Sequence, residues 1–173
     1  DVINLRKLQD FVNLRAFADS EALKIRYNDN KIYLENEPKG SLAKALYSIA
    51  EKIRYEKIGS DKLKGVRNNI VQCYESKFKN KKIDEIKTES DVSVTEAFEL
   101  YLRSHFFNIE QNDATKKILS YWKDSFDKNV KKKFSDLDKS IENQSKYSQI
   151  MTELINSLDF EYSESNEKDE KKE

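Results

Sequence analysis

The sequence predicts an all-α fold, an irregular multi-helix bundle with antiparallel helix hairpins. Only three Gly and one Pro occur in 173 residues, whereas β-rich folds need many of both for their tight turns. Apolar residues recur every three or four positions along most of the chain, which is typical of amphipathic helices. Nine Phe, nine Tyr and one Trp supply bulky side chains for a core. We therefore expect one helical domain over residues 1–160.

Residues 161–173 differ in composition from the rest of the chain. They contain one large apolar side chain, Tyr162, and six acids against three lysines. So few apolar groups cannot offset the entropy lost when a chain becomes ordered. We predict a disordered tail that begins an acidic linker. Because the formal net charge of the whole chain is zero, the remainder carries only +3, which is too little for a nucleic-acid-binding surface.

The N-terminal segment predicts two short helices followed by a connection. Apolar residues within 5–18 fit a first helix, and Asp19 stands where it would cap a second. Turn-forming residues then dominate 27–40, with several Asn, Pro38 and a glycine. We expect this stretch to connect the helices, with residues 31–34 briefly extended.

A clear amphipathic helix begins at Ser41. Gly59 stands where a left-handed residue would end it, and Ser60 or Asp61 then starts another helix. The short connection predicts that the two helices pack as an antiparallel hairpin. The residues expected on the inward face of the second helix are Leu63, Val66, Ile70, Cys73, Tyr74 and Phe78.

Four residues of this hairpin stand out. Gly65 lies inside the second helix, where Gly costs about 1 kcal/mol relative to Ala, so we expect a neighbouring element to approach closely there. Glu51, Arg54 and Glu56 are predicted on the rim of the first helix. Two interpretations stay open for them, a solvated pair worth a few tenths of a kcal/mol and a charged patch that a partner recognises.

The C-terminal half predicts a loop and three helices. Residues 80–90 are polar and rich in Lys, which indicates the loop. Ser93 and Glu96 form a capping-box pattern ahead of an apolar stripe. The next helix begins near Asp113, and a final helix covers 137–158.

Reactive side chains are scarce in this sequence. A metal site at His105, the only histidine, would need three carboxylates around it. The simpler interpretation is a histidine on an apolar stripe, with one nitrogen bonded to a carbonyl or an acid. The only cysteine, Cys73, is interpreted as a small core residue. A single cysteine excludes an internal disulfide and favours a reducing, cytoplasmic location.

Two further motifs have simpler interpretations than a binding site. Asp91, Ser93 and Thr95 have the spacing of the first motif of a metal-ion-dependent adhesion site. Such a motif follows a buried strand, and polar residues precede this one, so helix capping is favoured. Gly59 and Gly65 are not part of a phosphate-binding loop sequence. No apolar run approaches the roughly 18 residues of a membrane span.

Three segments resemble motifs of CobT-type subunits of aerobic cobaltochelatase. RAFADSEALKIRY, residues 15–27, is similar to R-G-x-A-D-x-x-A-L-x-L-R, although no glycine follows the arginine. EKIRYEKIG, residues 51–59, is similar to E-Q-A-R-x-E-x-L-G, and LKGVRNNI, residues 63–70, to M-x-G-V-x-x-N-L. The motif residues that we take as candidates for contacts with a partner are Arg15, Asp19, Arg26, Glu51, Arg54, Glu56, Gly59, Gly65 and Asn69.

The resemblance implies membership of an ATP-dependent assembly, a ligase that forms nitrogen–metal bonds by inserting Co(II) into hydrogenobyrinic acid a,c-diamide in cobalamin biosynthesis. It implies an AAA+ ATPase subunit and a large corrin-binding subunit as partners, and the use of ATP, Mg²⁺ and Co(II) by the assembly. A von Willebrand A-like domain with a true adhesion-type metal motif is expected beyond the acidic linker. In this chain itself we expect no catalytic residue, cofactor or metal site.

Assembly is the function that these observations favour. We expect a non-catalytic helical module that binds the ATPase subunit or further copies of itself, because no catalytic constellation is visible. Two alternatives stay open. One is a helical interaction domain of another pair of AAA+ and von Willebrand A-like proteins, chelatase-like or chaperone-like. The other is direct handling of cobalt through His105 and neighbouring carboxylates.

Overall fold

The computed structural model describes residues 8–81 and 83–158. Within these ranges the protein is all-α, as predicted, with short 3-10 turns and no strand. The helices are α1 (Leu8–Tyr27), α2 (Asn30–Asn36), α3 (Ser41–Lys62), α4 (Lys64–Lys79), α5 (Val94–Phe107), α6 (Asp113–Asn129), α7 (Phe134–Ser140) and α8 (Gln144–Ser157). The predicted disordered tail at 161–173 lies outside the described residues.

The N-terminal segment is more helical than predicted. A single helix, α1, replaces the two short ones, because the Asp19 carboxylate does not cap a helix but accepts a hydrogen bond from Asn69 Nδ2 at 2.7 Å. The predicted extended stretch at 31–34 is also wrong, since it lies in α2. Asp29 caps that helix, and its Oδ1 accepts the Lys31 backbone N–H at 2.8 Å.

The boundary between α3 and α4 also differs from the prediction. Gly59 and Ser60 lie inside α3, which ends where the Leu63 N–H bonds to the Gly59 carbonyl at 2.9 Å. Gly59 is needed for contact and not for a turn, because a Cβ there would overlap the Leu23 side chain of α1. In the described part of the chain, no neighbouring element comes within 4 Å of a Cβ added at Gly65, so the expected close approach there is wrong. Leu63, predicted to face inward, is 56% exposed.

Helix α3 is the central element of the bundle and packs against α1, α4, α5 and α8. Helix α4 doubles back along α3, as the predicted hairpin requires, so that Glu56 of α3 and Tyr74 of α4 both contact Arg103. Helices α5 and α6 form a second antiparallel hairpin, with Tyr101 bonded to Asp127 at 2.6 Å. The fully buried apolar core residues are Leu46, Tyr47, Ala50, Ile53, Ala97, Phe98, Leu100, Leu102, Phe126, Val130, Leu137, Tyr147 and Met151.

The C-terminal predictions need two corrections. The final helix is broken in two, because Asn143 caps α8 by accepting the Lys146 N–H at 3.1 Å. Helix α5 begins after Ser93 as predicted, but the capping box is wrong. Ser93 Oγ bonds Thr95 Oγ1 at 2.5 Å, and Glu96 forms an ion pair with Lys81 at 2.7 Å.

A clasp joins the start of α8 to the connection between α1 and α2. Gln144 Oε1 accepts the Asp29 backbone N–H at 2.7 Å, and Gln144 Nε2 donates to the Asp29 carbonyl at 3.1 Å. Further along, Thr152 donates to the Asn36 carbonyl at 2.6 Å. Because both helices begin at the clasp, α8 runs parallel to α2. In the described part of the chain, no helix combines the length and apolar character that crossing a membrane requires.

Candidate docking surface and the buried motif residues

The three charged motif residues of the EKIRYEKIG segment are buried, contrary to the prediction. Glu51, Arg54 and Glu56 are each 1% exposed, so they do not lie on the rim of α3. Neighbouring helices α1, α4, α5 and α8 pack against α3 and cover most of this stretch. A partner cannot contact these three side chains in the folded domain, and neither the solvated-pair nor the charged-patch interpretation holds.

Glu51 organises one buried polar cluster between α3 and α8. Its carboxylate accepts hydrogen bonds from Ser148 Oγ at 2.6 Å and from Arg54 Nε at 3.0 Å. Arg54 Nη2 donates to the Tyr27 carbonyl at 2.8 Å, at the end of α1. Buried charges are stable only when paired and hydrogen-bonded. This cluster therefore fixes the positions of α1 and α8 on α3.

Glu56 and Arg103 form a second buried cluster, between α3 and α5. Glu56 accepts hydrogen bonds from Arg103 Nη1 at 2.8 Å and from Ser20 Oγ at 2.6 Å. Burial acts to lower the pKa of Arg103, but Glu56, Tyr74 and Glu99 together outweigh burial and hold this pKa above its usual value. The guanidinium carbon also lies 3.2 Å from the Tyr74 ring centroid. Among the described residues, Arg103 Nη2 has no hydrogen-bond partner, and Glu56 and Glu99 are the carboxylates that pair with this charge.

Glu99 extends this cluster towards the surface. Its carboxylate accepts from Arg103 Nε at 3.0 Å and pairs with Lys77 Nζ at 3.0 Å. Burial acts to raise the pKa of Glu99, but Arg103 and Lys77 together hold that pKa below its usual value. We missed Arg103 in the sequence, although a signal exists. It lies between Leu100 and Phe107 at helical spacing, on a line that is otherwise apolar.

Some of the other motif residues pack between helices, and the rest lie on the surface. Asp19 and Asn69 bond to each other and join α1 to α4, and Gly59 receives Leu23. Gly65 is exposed. Arg15 and Arg26 are exposed on α1, where their guanidinium groups lie 5.7 Å and 5.4 Å from the rings of Phe11 and Tyr27. Of the nine candidates, the two arginines are the best placed for contact with a partner.

Helix α1 carries a row of exposed side chains that faces away from α3. We call this row the outer stripe, and its members are Leu8, Phe11, Arg15, Ala18, Ala22 and Ile25. They recur at intervals of three and four residues and so lie along one side of the helix. Leu8, Phe11 and Ile25 are 82%, 46% and 85% exposed. The opposite face, with Ala16, Ser20 and Leu23, is buried. Both faces of α1 carry apolar residues, and this is why the hydrophobic periodicity of the segment is weak.

His105 makes the kind of contact that the simpler interpretation predicted. Its Nε2 lies 3.0 Å and 3.2 Å from the two carboxylate oxygens of Asp138. Its ring stacks on Phe134 with the centroids 3.7 Å apart. Over residues 8–81 and 83–158, no group of three or more His, Cys, Asp or Glu side chains is placed to hold a metal ion.

Neither Cys73 nor Asp91 shows the chemistry of a reactive site. Cys73 is half-buried, and burial raises the pKa of its thiol, which disfavours the reactive thiolate. The Asp91 carboxylate accepts the backbone N–H groups of Thr88 at 2.7 Å and Lys87 at 2.9 Å. These bonds hold the pKa of Asp91 below its usual value and orient the carboxylate towards its own turn.

Comparison with known proteins gives one clear result. No solved structure is significantly similar to the chain. The family model for cobalamin biosynthesis protein CobT matches residues 5–173, which is nearly the whole sequence. The buried α3 segment, the Asp19–Asn69 pair and the Gly59 contact all fall within this match. The chain therefore belongs to the CobT family of cobalamin biosynthesis proteins.

Proposed function

We propose that this chain is a non-catalytic docking module in the ATP-dependent cobaltochelatase that inserts Co(II) into hydrogenobyrinic acid a,c-diamide. Its partner in this proposal is the AAA+ ATPase subunit, and the outer stripe of α1 is the surface that binds it. The large corrin-binding subunit would act in the same assembly. ATP, Mg²⁺ and Co(II) are used by that assembly and not by this domain.

The observation that carries the proposal is the exposure of the outer stripe. Soluble proteins seldom leave several large apolar side chains in line on one helix unless a partner covers them. Arg15 lies within the stripe and Arg26 beside its end, and arginine is enriched at protein interfaces. Both arginines also belong to the family motif at 15–27. The stripe thus joins apolar area, cationic groups and family-specific residues on one face.

The mode of binding that fits this surface is helix against helix or helix in a groove. Apolar anchors at intervals of three and four residues along a 20-residue helix suit a complementary apolar groove. The charged residues of α3 support this surface indirectly, because they hold α1 in place. Glu56 accepts a hydrogen bond from Ser20, and Arg54 donates one to the Tyr27 carbonyl.

Size-exclusion chromatography of the chain with the ATPase subunit, with and without ATP, tests this proposal. We expect co-elution of the unmodified chain and its loss in the double variant Phe11→Glu and Ile25→Glu. The matched control is Leu34→Glu, which changes a side chain on α2 that is 59% exposed and lies outside the stripe. Absence of co-elution for the unmodified chain under both conditions would reject the ATPase subunit as partner.

The two alternative functions predict different experimental results. An interaction domain of another AAA+ and von Willebrand A-like pair would bind that pair's ATPase and not the cobaltochelatase subunit. Direct cobalt handling predicts calorimetric binding of Co(II) that weakens in His105→Ala. We expect no Co(II) binding tighter than millimolar, because His105 is committed to Asp138 and Phe134.

A further inference from the structure

Positive charge is concentrated in α6 and in the turn that follows it. Residues 113–133 contain seven lysines and three aspartates, which gives this segment a formal net charge of +4, whereas the whole chain is neutral. Lys116, Lys123 and Lys131 of this segment line a groove of about 520 Å³ between α5 and α6. We call it the lysine groove. It is separate from the outer stripe, which lies on α1.

The lysines of the groove are poorly neutralised by nearby acids. Lys116 lies 4.0 Å from the exposed carboxylate of Asp113. Neither Lys123 nor Lys131 forms an ion pair with a described residue. Among the described residues, Asp127 is the acid that lines the groove, and it accepts the Tyr101 hydroxyl at 2.6 Å. The groove therefore attracts carboxylates from outside the domain.

The base of the lysine groove is apolar and held in one arrangement. Leu119, Tyr101 and Phe134 line it. Phe134 is stacked between His105 at 3.7 Å and Tyr101 at 5.6 Å, measured between ring centroids. Because these rings cover one another's faces, the base offers contact to an aliphatic side chain and not to the face of a flat molecule.

The spacing of the lysines fits an extended chain. Lys116 and Lys123 are seven residues apart on α6, so their backbones are separated by about 10 Å along its axis. This distance equals about three residues of an extended peptide. Lys131 lies further along in the same direction. An inorganic anion is too small to contact all three lysines and would leave the apolar base uncovered.

We propose that the lysine groove binds an acidic, extended segment of a protein partner. An apolar side chain of that segment contacts the base, and carboxylates on either side of it pair with the lysines at the rim. Lysine suits this task because its ammonium group is a point charge on a flexible stem, which adapts to acids at different positions. The groove is thus a second interaction surface, on different helices from the outer stripe.

Two-dimensional NMR of the full 173-residue chain tests this inference. The probe is the unlabelled capped peptide acetyl-EELEELE-amide, and the control peptide carries Gln in place of every Glu. We expect the acidic peptide to shift the backbone amide signals of Ser104, Leu119 and Ser120, which line the groove, until the site is saturated. Added salt should weaken this binding. The control peptide should bind at least about tenfold more weakly.

Charge reversal locates the site. The triple variant Lys116→Glu, Lys123→Glu and Lys131→Glu should weaken binding of the acidic peptide by about tenfold or more. The matched control reverses three exposed lysines outside the groove and gives the same change in net charge; it carries Lys24→Glu, Lys39→Glu and Lys146→Glu. Thermal unfolding of both triple variants checks that the fold is retained, as expected for exposed positions.

Two results would show that the groove does not recognise acids. Equal binding of the acidic peptide and its Gln control would mean that carboxylates take no part. Equal weakening in the two triple variants would mean that net charge alone attracts the peptide. The outcome of the ATPase docking test changes neither measurement, because that test depends on the outer stripe of α1. Failure of the proposed function and failure of this inference are therefore distinguishable.

Two further results would assign the groove to a different occupant and overturn the inference. Displacement of the peptide by a short oligothymidylate, at lower concentration than by the peptide itself, would indicate a nucleic-acid site. The second result concerns the acidic residues 161–173 of this chain. If changing their six acids to the corresponding amides strengthens peptide binding by about tenfold or more, the chain's own acidic segment competes for the groove.

Discussion

Two segments that carry family motifs, one in α3 and one in α1, have opposite environments in this protein. In α3, Glu51, Arg54 and Glu56 are buried and bonded across four helices. Helix α1 exposes its arginines and four large apolar residues to solvent, namely Leu8, Phe11, Phe17 and Ile25. The comparison teaches that a charged motif is not by itself a binding surface. In α3 the charges hold the helices together, and in α1 they are free to meet a partner.

The largest expected effect comes from breaking the buried cluster at Glu56. Glu56→Gln removes one of the two carboxylates that pair with the buried guanidinium of Arg103 and leaves only Glu99 as its counter-ion. Such a loss costs about 3–5 kcal/mol, a large part of the 5–15 kcal/mol that typically stabilises a domain. Urea unfolding measures this loss in the free energy of unfolding. A cost below about 1 kcal/mol would show that Glu56 is not a structural residue.

The next effect separates two helical glycines, of which Gly59 meets a neighbouring side chain and Gly65 does not. Gly59→Ala should destabilise the domain by about 1–3 kcal/mol, because the added methyl group overlaps Leu23. Gly65→Ala is the matched control and should be neutral or stabilising by up to about 1 kcal/mol, since Ala is the better helix former and the space is open. Thermal unfolding is measured for both variants and for the double variant Gly59→Ala and Leu23→Ala. It shows how much stability the contact between the added methyl group and Leu23 costs.

A smaller effect depends on pH and concerns Glu99. Its pKa is lower in the folded chain than the ordinary value of 4.5, so its contribution to stability is present above about pH 4.5. That contribution is lost as the pH falls below this value through the folded pKa. Glu99→Gln should therefore show a flatter decline in stability below pH 4.5, by about 1 kcal/mol. An equal decline in Glu99→Gln and in the exposed control Glu21→Gln would contradict this assignment.

The smallest effect on stability is expected on the outer stripe. Ile25→Ser should change the free energy of unfolding by no more than about 0.5 kcal/mol, because the side chain is 85% exposed. Ile70→Ser, at a position 1% exposed, serves as the buried counterpart and should cost several times more. If Ile25→Ser is equally destabilising, the stripe is covered within the protein and is not available to a partner.

The fold class was predictable because it depends on composition and periodicity, which are local properties. Helix α5 and helix α6 begin where their patterns indicate, since their apolar faces are well separated from their polar faces. The sequence predicts two short helices in place of α1 because apolar residues occur on both sides of this helix. Asp19 resembled a cap in sequence, but its partner Asn69 is 50 residues away, and no local pattern reveals that bond.

The candidate site was less predictable for a related reason. Charged residues are exposed by default, so a periodicity argument places Glu51, Arg54 and Glu56 on the rim. Their burial is decided by Ser148 and Arg103, which lie far along the chain. The family resemblance indicates that these positions are important, but it does not give the reason. The two exposed arginines were identified by the same resemblance, and burial alone distinguishes the two groups.

The clasp between Gln144 and Asp29 has a consequence for how the chain folds. It joins residues 115 positions apart, and Glu51 of α3 likewise completes its bonds only with Ser148. Contacts of such high sequence separation form late and slow the overall reaction. During synthesis the first three helices therefore emerge before Ser148, which bonds to Glu51, has been made. The native arrangement can close only after α8 has emerged from the ribosome.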